Sequence, residues 1–181
     1  MNIAIFGGSF DPPHIAHEEI VKQVIKNINI DKLFVVPTYL SPFKDKYHLE
    51  PKERFELLKE LFSDEKKVIV SDFEINQNRA VPTIETVKHI QEQYSSAKIY
   101  LIIGSDNLES LHLWNSFKEL KSLVNFIVIS REGYEVKNDI IQFKVINMDI
   151  NISSTTIRED FNSKYIPTKI KQKVNNIWKK E

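Results

Sequence analysis

The chain has 181 residues, 25 Lys and Arg against 25 Asp and Glu, 41% hydrophobic and 28% charged residues, and no Cys. At roughly one domain per 150 residues this predicts a single domain over 1–181 that builds its own core without a staple. The missing Cys excludes disulfide frameworks, thiolate zinc sites, Cys-ligated clusters and a thiol nucleophile, and zero net charge excludes a general pull toward nucleic acid.

The start, Met1 to Phe6, has no basic segment or long apolar stretch, and the longest apolar run, Ile99 to Ile103, is far short of the ~20 residues of a membrane span. The expectation is a cytoplasmic protein with neither a membrane nor a nucleic acid as partner. Short β-branched or aromatic runs predict buried strands at Asn2 to Phe6, Leu33 to Val36, Lys67 to Val70, Ile99 to Ile103 and Phe126 to Ile129. Helical stripes fall between them: Ile20, Val21, Val24, Ile25 and Ile28; then Phe55, Leu58, Leu61 and Phe62; then Ile84, Val87, Ile90 and Tyr94. A further strand near Lys144 to Asn147 and helices from Ser154 and from Pro167 complete the pattern. Alternation of this kind predicts an α/β fold with a parallel sheet covered on both faces and a small C-terminal helical part. The segment from Lys164 to Lys180 holds six Lys and no acid, but Ile170, Val174, Ile177 and Trp178 make it a helix docked by one face.

Open parallel sheets bind ligands beyond the carboxyl ends of their strands. Of only four glycines, Gly7, Gly8 and Gly104 follow predicted strands directly. The first leads Gly7-Gly8-Ser9-Phe10-Asp11-Pro12-Pro13-His14-Ile15-Ala16-His17 into a helix. Adjacent glycines let backbone N–H groups approach a phosphate, and the helix start adds a favourable dipole. His14 and His17, three apart, can face one ligand and donate hydrogen bonds to phosphoryl oxygens. Neither a dinucleotide fingerprint nor a P-loop is present, so phosphates must be held another way.

In Ile152-Ser153-Ser154-Thr155-Thr156-Ile157-Arg158, hydroxyls at a helix start and an arginine one turn in suit a polyphosphate, although one hydroxyl could simply cap the helix. Gly104-Ser105-Asp106-Asn107 ends a strand with a carboxylate placed for a ribose or a phosphate-bound cation. Trp114 offers a flat face to a heteroaromatic ring, or packs as ordinary core.

The string from Gly7 to His17, paired with that from Ile152 to Arg158, resembles the nucleotidyltransferase superfamily of adenylyl- and cytidylyltransferases. Within it the chain is most similar to bacterial nicotinate mononucleotide adenylyltransferases, from Ile3 to about Lys169. Ser41-Pro42-Phe43-Lys44, the segment from Pro51 to Leu58, Thr83-Ile84-Glu85-Thr86-Val87, Gly104 to Trp114 and Arg131 carry the narrower likeness. The resemblance implies a Rossmann-like doubly wound sheet and transfer of AMP from ATP to nicotinate mononucleotide. Magnesium would be held mainly by ATP phosphates, with no protein metal ligand. It implies His14, His17 and Arg158 as catalytic, and ATP contacts from Gly7, Gly8, Ser9, Phe10, His14, His17, Gly104, Asp106, Ser153, Ser154, Thr155 and Arg158. The other substrate would meet Lys44, Thr83, Thr86, Trp114 and Arg131. Ala16, Phe43 and Ala80-Val81-Pro82 depart from the family pattern. Phosphopantetheine adenylyltransferase, or a nucleotide sensor without catalysis, are the alternative readings.

Overall fold

A computed structural model describes residues 1–40, 46–131, 133–148, 152–160 and 163–178. Its frame is one parallel sheet of β1 (Asn2–Gly8), β2 (Lys32–Pro37), β3 (Val68–Val70), β4 (Lys98–Gly104), β5 (Val124–Ile129) and β6 (Phe143–Ile146), in the order β3-β2-β1-β4-β5-β6. This is the doubly wound, Rossmann-like order, and the chain reverses direction across the sheet between β1 and β4.

Side chains alternate across the strands, so each face of the sheet has its own core. Ala4 and Phe6 of β1, Leu33 and Val35 of β2, and Tyr100 and Ile102 of β4 pack on one face with α1 (Ile15–Asn27), α2 (Pro51–Leu61), α6 (Ser154–Asp160) and α7 (Thr168–Trp178). On the opposite face Ile3, Ile5, Phe34, Val36, Leu101 and Ile103 pack with α4 (Thr83–Gln93) and α5 (Phe117–Leu123). A one-turn helix, α3 (Phe73–Asn76), lies between β3 and α4. Each buried aliphatic side chain contributes about 1.5–3 kcal/mol, and the near-unbroken apolar runs of β1, β4 and β5 reflect burial on both sides.

The strands expected from sequence are all present. The glycines are their last residues rather than the first residues beyond them: β1 ends on Gly8 and β4 on Gly104. The helix α5 has too short an apolar stripe to register as a periodic segment. At the C-terminus Ile170 and Val174 are fully buried, while Lys169 reaches Asp64 at 2.6 Å and Lys173 pairs with Glu60, which pins α7 to the α2 side. The lysines of that helix are therefore its solvated face. Among the described residues no helix is long and apolar enough to cross a membrane.

Candidate active site at the strand ends

The loop from Ser9 to His14 leaves β1 at the point where the sheet changes direction. Phe10 has φ 49°, a left-handed conformation, and this turn drives its ring inward to 1% exposure. There it meets Phe6 edge-on at 5.2 Å and His17 at 4.8 Å between ring centroids. A Cβ on Gly8 would sit 3.2 Å from the Phe10 ring, which accounts for glycine at the end of the strand. The Phe10 side chain is core and supports His17 from beneath, so the ATP contact expected of Phe10 falls to its backbone.

His14 precedes α1 in an extended conformation, and its carbonyl accepts the His17 N–H at 2.9 Å. The backbone N–H of His14 donates to His17 Nδ1 at 3.2 Å, and the two imidazoles stack with centroids 3.6 Å apart. His14 is 1% exposed, with its Nδ1 buried and without a hydrogen-bond partner among the described residues, whereas His17 is partly exposed. Burial, with the Arg131 charge nearby, lowers the His14 pKa to about 3; burial, His14 and Arg131 hold His17 well below the usual imidazole value. Both rings are therefore neutral at pH 7. With Nδ1 of His17 accepting a backbone proton, its own proton resides on Nε2.

The late motif closes on the same loop. The Ser154 hydroxyl donates to the Pro12 carbonyl at 3.1 Å, and Arg158 donates from Nη1 to the Asp11 carbonyl and from Nη2 to Thr155 Oγ1 at 3.1 Å. The start of α6 is thus held beside the start of α1 across most of the chain length. The Ser153 hydroxyl accepts the Thr156 N–H at 3.1 Å and meets Thr156 Oγ1 at 2.9 Å, which makes it the helix cap. Thr155 is exposed, with its hydroxyl beside the Arg158 guanidinium.

At the ends of β4 and β5, Asp106 Oδ2 accepts from Arg131 Nη1 at 3.0 Å, and the Arg131 N–H donates to Ser105 Oγ at 2.8 Å. Asp106 folds back over Gly104 so closely that a Cβ there would lie 2.1 Å from Oδ1. The Arg131 charge acts on both histidines, so the ends of β1, β4 and β5 share one site. Gly7 lies exposed at its edge.

Of the residues expected on the second substrate, Thr83 is the first residue of α4 and is partly exposed. Thr86 is 2% exposed and donates its hydroxyl to Glu74 Oε1 at 2.6 Å, a bond inside the fold. Trp114 is half-buried on the α4 face, with its Nε1 buried and unpartnered. Packing thus accounts for part of the indole and leaves part accessible. Lys44 lies outside the described residues, as does Phe43.

Sequence reading missed two side chains here. Asp11, 1% exposed, accepts the backbone N–H groups of His48 at 2.9 Å and Leu49 at 2.8 Å. Arg54 of α2, also 1% exposed, donates only to backbone carbonyls. The available signal was an arginine set among Leu57, Leu58 and Leu61 on the buried stripe of α2.

The arrangement brings neutral imidazole donors, guanidinium groups and a glycine-ended strand together at the strand ends. Such a site aligns and stabilises phosphates rather than attacking them. A family model described as cytidylyltransferase-like matches residues 5–160. The "Probable nicotinate-nucleotide adenylyltransferase" of Aliarcobacter butzleri is 48% identical over 98% of this chain and 97% of its own length. A protein of the same name from Campylobacter fetus is 45% identical over 100% and 98%. A solved structure of Plasmodium falciparum nicotinic acid mononucleotide adenylyltransferase complexed with NaAD superposes with a TM-score of 0.76 at 26% identity, covering 92% of this chain and 91% of that one.

Proposed function

Because the chain belongs to the nicotinate-nucleotide adenylyltransferase family, within the cytidylyltransferase-like group, we propose that its strand-end crevice joins ATP to nicotinate mononucleotide. The products are nicotinate adenine dinucleotide and pyrophosphate. The observation that carries the reading is the stacked, neutral His14–His17 pair, packed against the same loop that Ser154 and Arg158 hold.

An oxygen of the mononucleotide 5′-phosphate attacks the α-phosphorus of ATP in line with the departing pyrophosphate. One P–O bond forms as the bond to the β-phosphate bridging oxygen breaks. The attacking oxygen of a phosphate dianion carries no proton, so the step needs no general base. His17 Nε2–H donates to the transferring phosphoryl group, whose oxygens gain charge, and a well-placed donor of this kind is worth about 3–4 kcal/mol. Neutrality matters here: an imidazole that holds its proton firmly at pH 7 donates without giving it up. Ser154, Thr155 and Arg158 serve the leaving phosphates, and Arg158 reaches them from its seat on Asp11.

Magnesium would be brought by the ATP phosphates and water, where it would offset negative charge. On the acceptor side Thr83, the accessible part of Trp114, Arg131 and Lys44 recognise the mononucleotide, and a carboxylate on its ring suits their cationic and donor character. Gly104 and Asp106 face the nucleoside part of ATP. An ATP-consuming step of this type belongs in the cytoplasm.

Incubation with ATP, magnesium and nicotinate mononucleotide, followed by mass analysis, should yield nicotinate adenine dinucleotide. Tight ATP binding with no dinucleotide formed would turn the reading toward a sensor.

A further inference from the structure

The buried guanidinium of Arg54 is bonded to three segments at once. Its Nη1 donates to the Ser9 carbonyl at 2.7 Å and the Thr38 carbonyl at 2.7 Å, its Nη2 to the Tyr39 carbonyl at 2.9 Å, and its Nε to the Leu49 carbonyl at 3.0 Å. Ser9 follows β1, Thr38 and Tyr39 follow β2, and Leu49 precedes α2. No acceptor among these is a carboxylate; the nearest compensating charge is Asp11, whose field acts on Arg54 across a pocket that both residues line with Ser9, Thr38, Tyr39 and Tyr47.

Asp11 completes the link from the other side. Leu49 is held at its carbonyl by Arg54 and at its N–H by Asp11, while the Asp11 carbonyl takes Arg158. The loop carrying the histidines is therefore tied to the chain after β2, to the approach of α2 and to α6 through three charged side chains, Arg54, Asp11 and Arg158. A buried charge bonded to carbonyls rather than to a carboxylate costs stability compared with an apolar side chain, so packing alone does not explain it.

We propose that Arg54, working with Asp11, is a positioning residue for the transfer step: it sets the histidine loop against the segment at Thr38 and Tyr39, so that the two phosphates meet in line. This rests on the proposed adenylyl transfer. A lysine can carry the charge but not a planar fork to four carbonyls, so R54K should let the loops shift while their other contacts remain. Small misplacements cost reaction rate more than they cost binding.

The test compares native protein with R54K and D11N, measuring turnover with nicotinate mononucleotide, KM for that acceptor, the dissociation constant of magnesium ATP by calorimetry, and thermal unfolding. The expected result for R54K is a fall in kcat of about 10- to 100-fold, a raised acceptor KM and ATP affinity within about threefold of native. D11N should show the same split, and it carries the test if R54K does not fold. Turnover within twofold of native in a folded variant, or ATP affinity falling in step with kcat, would overturn the proposal. Failure of both variants to fold would also overturn it, since the pair would then be a folding element only. Inactivity of the native protein toward this acceptor would instead remove the adenylyl-transfer reading itself.

Discussion

His17 Nδ1 accepts the backbone N–H of His14 at 3.2 Å, so the proton of the neutral His17 ring is on Nε2 and available to a ligand. Removing that donor in His17→Ala should lower turnover by roughly 10²-fold or more, as loss of a transition-state donor does. The two amide replacements separate the roles of the two nitrogens. Asn can reach the position of Nδ1 and keep the helix start; Gln extends to that of Nε2. Turnover should recover in part with His17→Gln and stay low with His17→Asn, and nitrogen NMR of the native ring should report the Nε2–H tautomer. Equal turnover in both variants would remove the tautomer from the mechanism.

Arg131 and Asp106 depend on Gly104. A methyl at Gly104 would fall 2.1 Å from Asp106 Oδ1, and the carboxylate, being a side-chain end, can swing away. Gly104→Ala should therefore cost little stability, about 1 kcal/mol or less for a partly exposed ion pair. It should raise the KM for ATP several-fold, because Asp106 leaves its place at the strand end. Unfolding curves and steady-state kinetics on the same preparation decide between this split and a purely structural loss.

Two buried groups make stability depend on pH in opposite directions. The folded state keeps His14 neutral down to about pH 3, whereas the unfolded imidazole takes a proton below 6.5. Its contribution is fully present above pH 6.5 and is lost as pH falls toward 3, at about 1.4 kcal/mol per pH unit. Glu74, 5% exposed, has a pKa pushed up to about 7 by burial, which outweighs the Thr86 bond. Below its unfolded value of 4.5 this carboxyl is protonated in both states and costs nothing. As pH rises from there through 7, the unfolded carboxylate ionises first and folding stability drops. Glu74→Gln should match native stability at pH 4 and exceed it by about 3 kcal/mol at pH 8 in urea unfolding. An identical pH profile in the variant would contradict the assignment.

Trp114 is half-buried, so Trp114→Phe should retain its packing while weakening the stacking face. The expected outcome is a raised acceptor KM with kcat nearly unchanged, the signature of binding shared by ground and transition states. A drop in thermal stability with unchanged KM would make the indole core alone.

The strands, their glycine ends and the histidine pair were legible in the sequence because each repeats a local rule: apolar runs of strand length, a glycine turn, two rings one helical turn apart. Arg158 and Ser154 were legible as a motif, but not their seats on Asp11 and Pro12, since contacts so distant in sequence leave no local trace. Phe10 reads as part of a ligand loop until its positive φ turns the ring into the core. Thr86 reads as a substrate contact, and its bond to Glu74, twelve residues earlier, leaves no local trace. Arg54 and Asp11 were hidden for a general reason: charge is ordinarily read as solvated, and only three-dimensional closure of the loops buries these two side chains together.

The central claim is tested most directly by pyrophosphate release from magnesium ATP with nicotinate mononucleotide, nicotinamide mononucleotide and phosphopantetheine supplied separately at equal concentration. Clear preference for the nicotinate acceptor is expected. Preference for phosphopantetheine or the amide, or no release with any of the three, would contradict it.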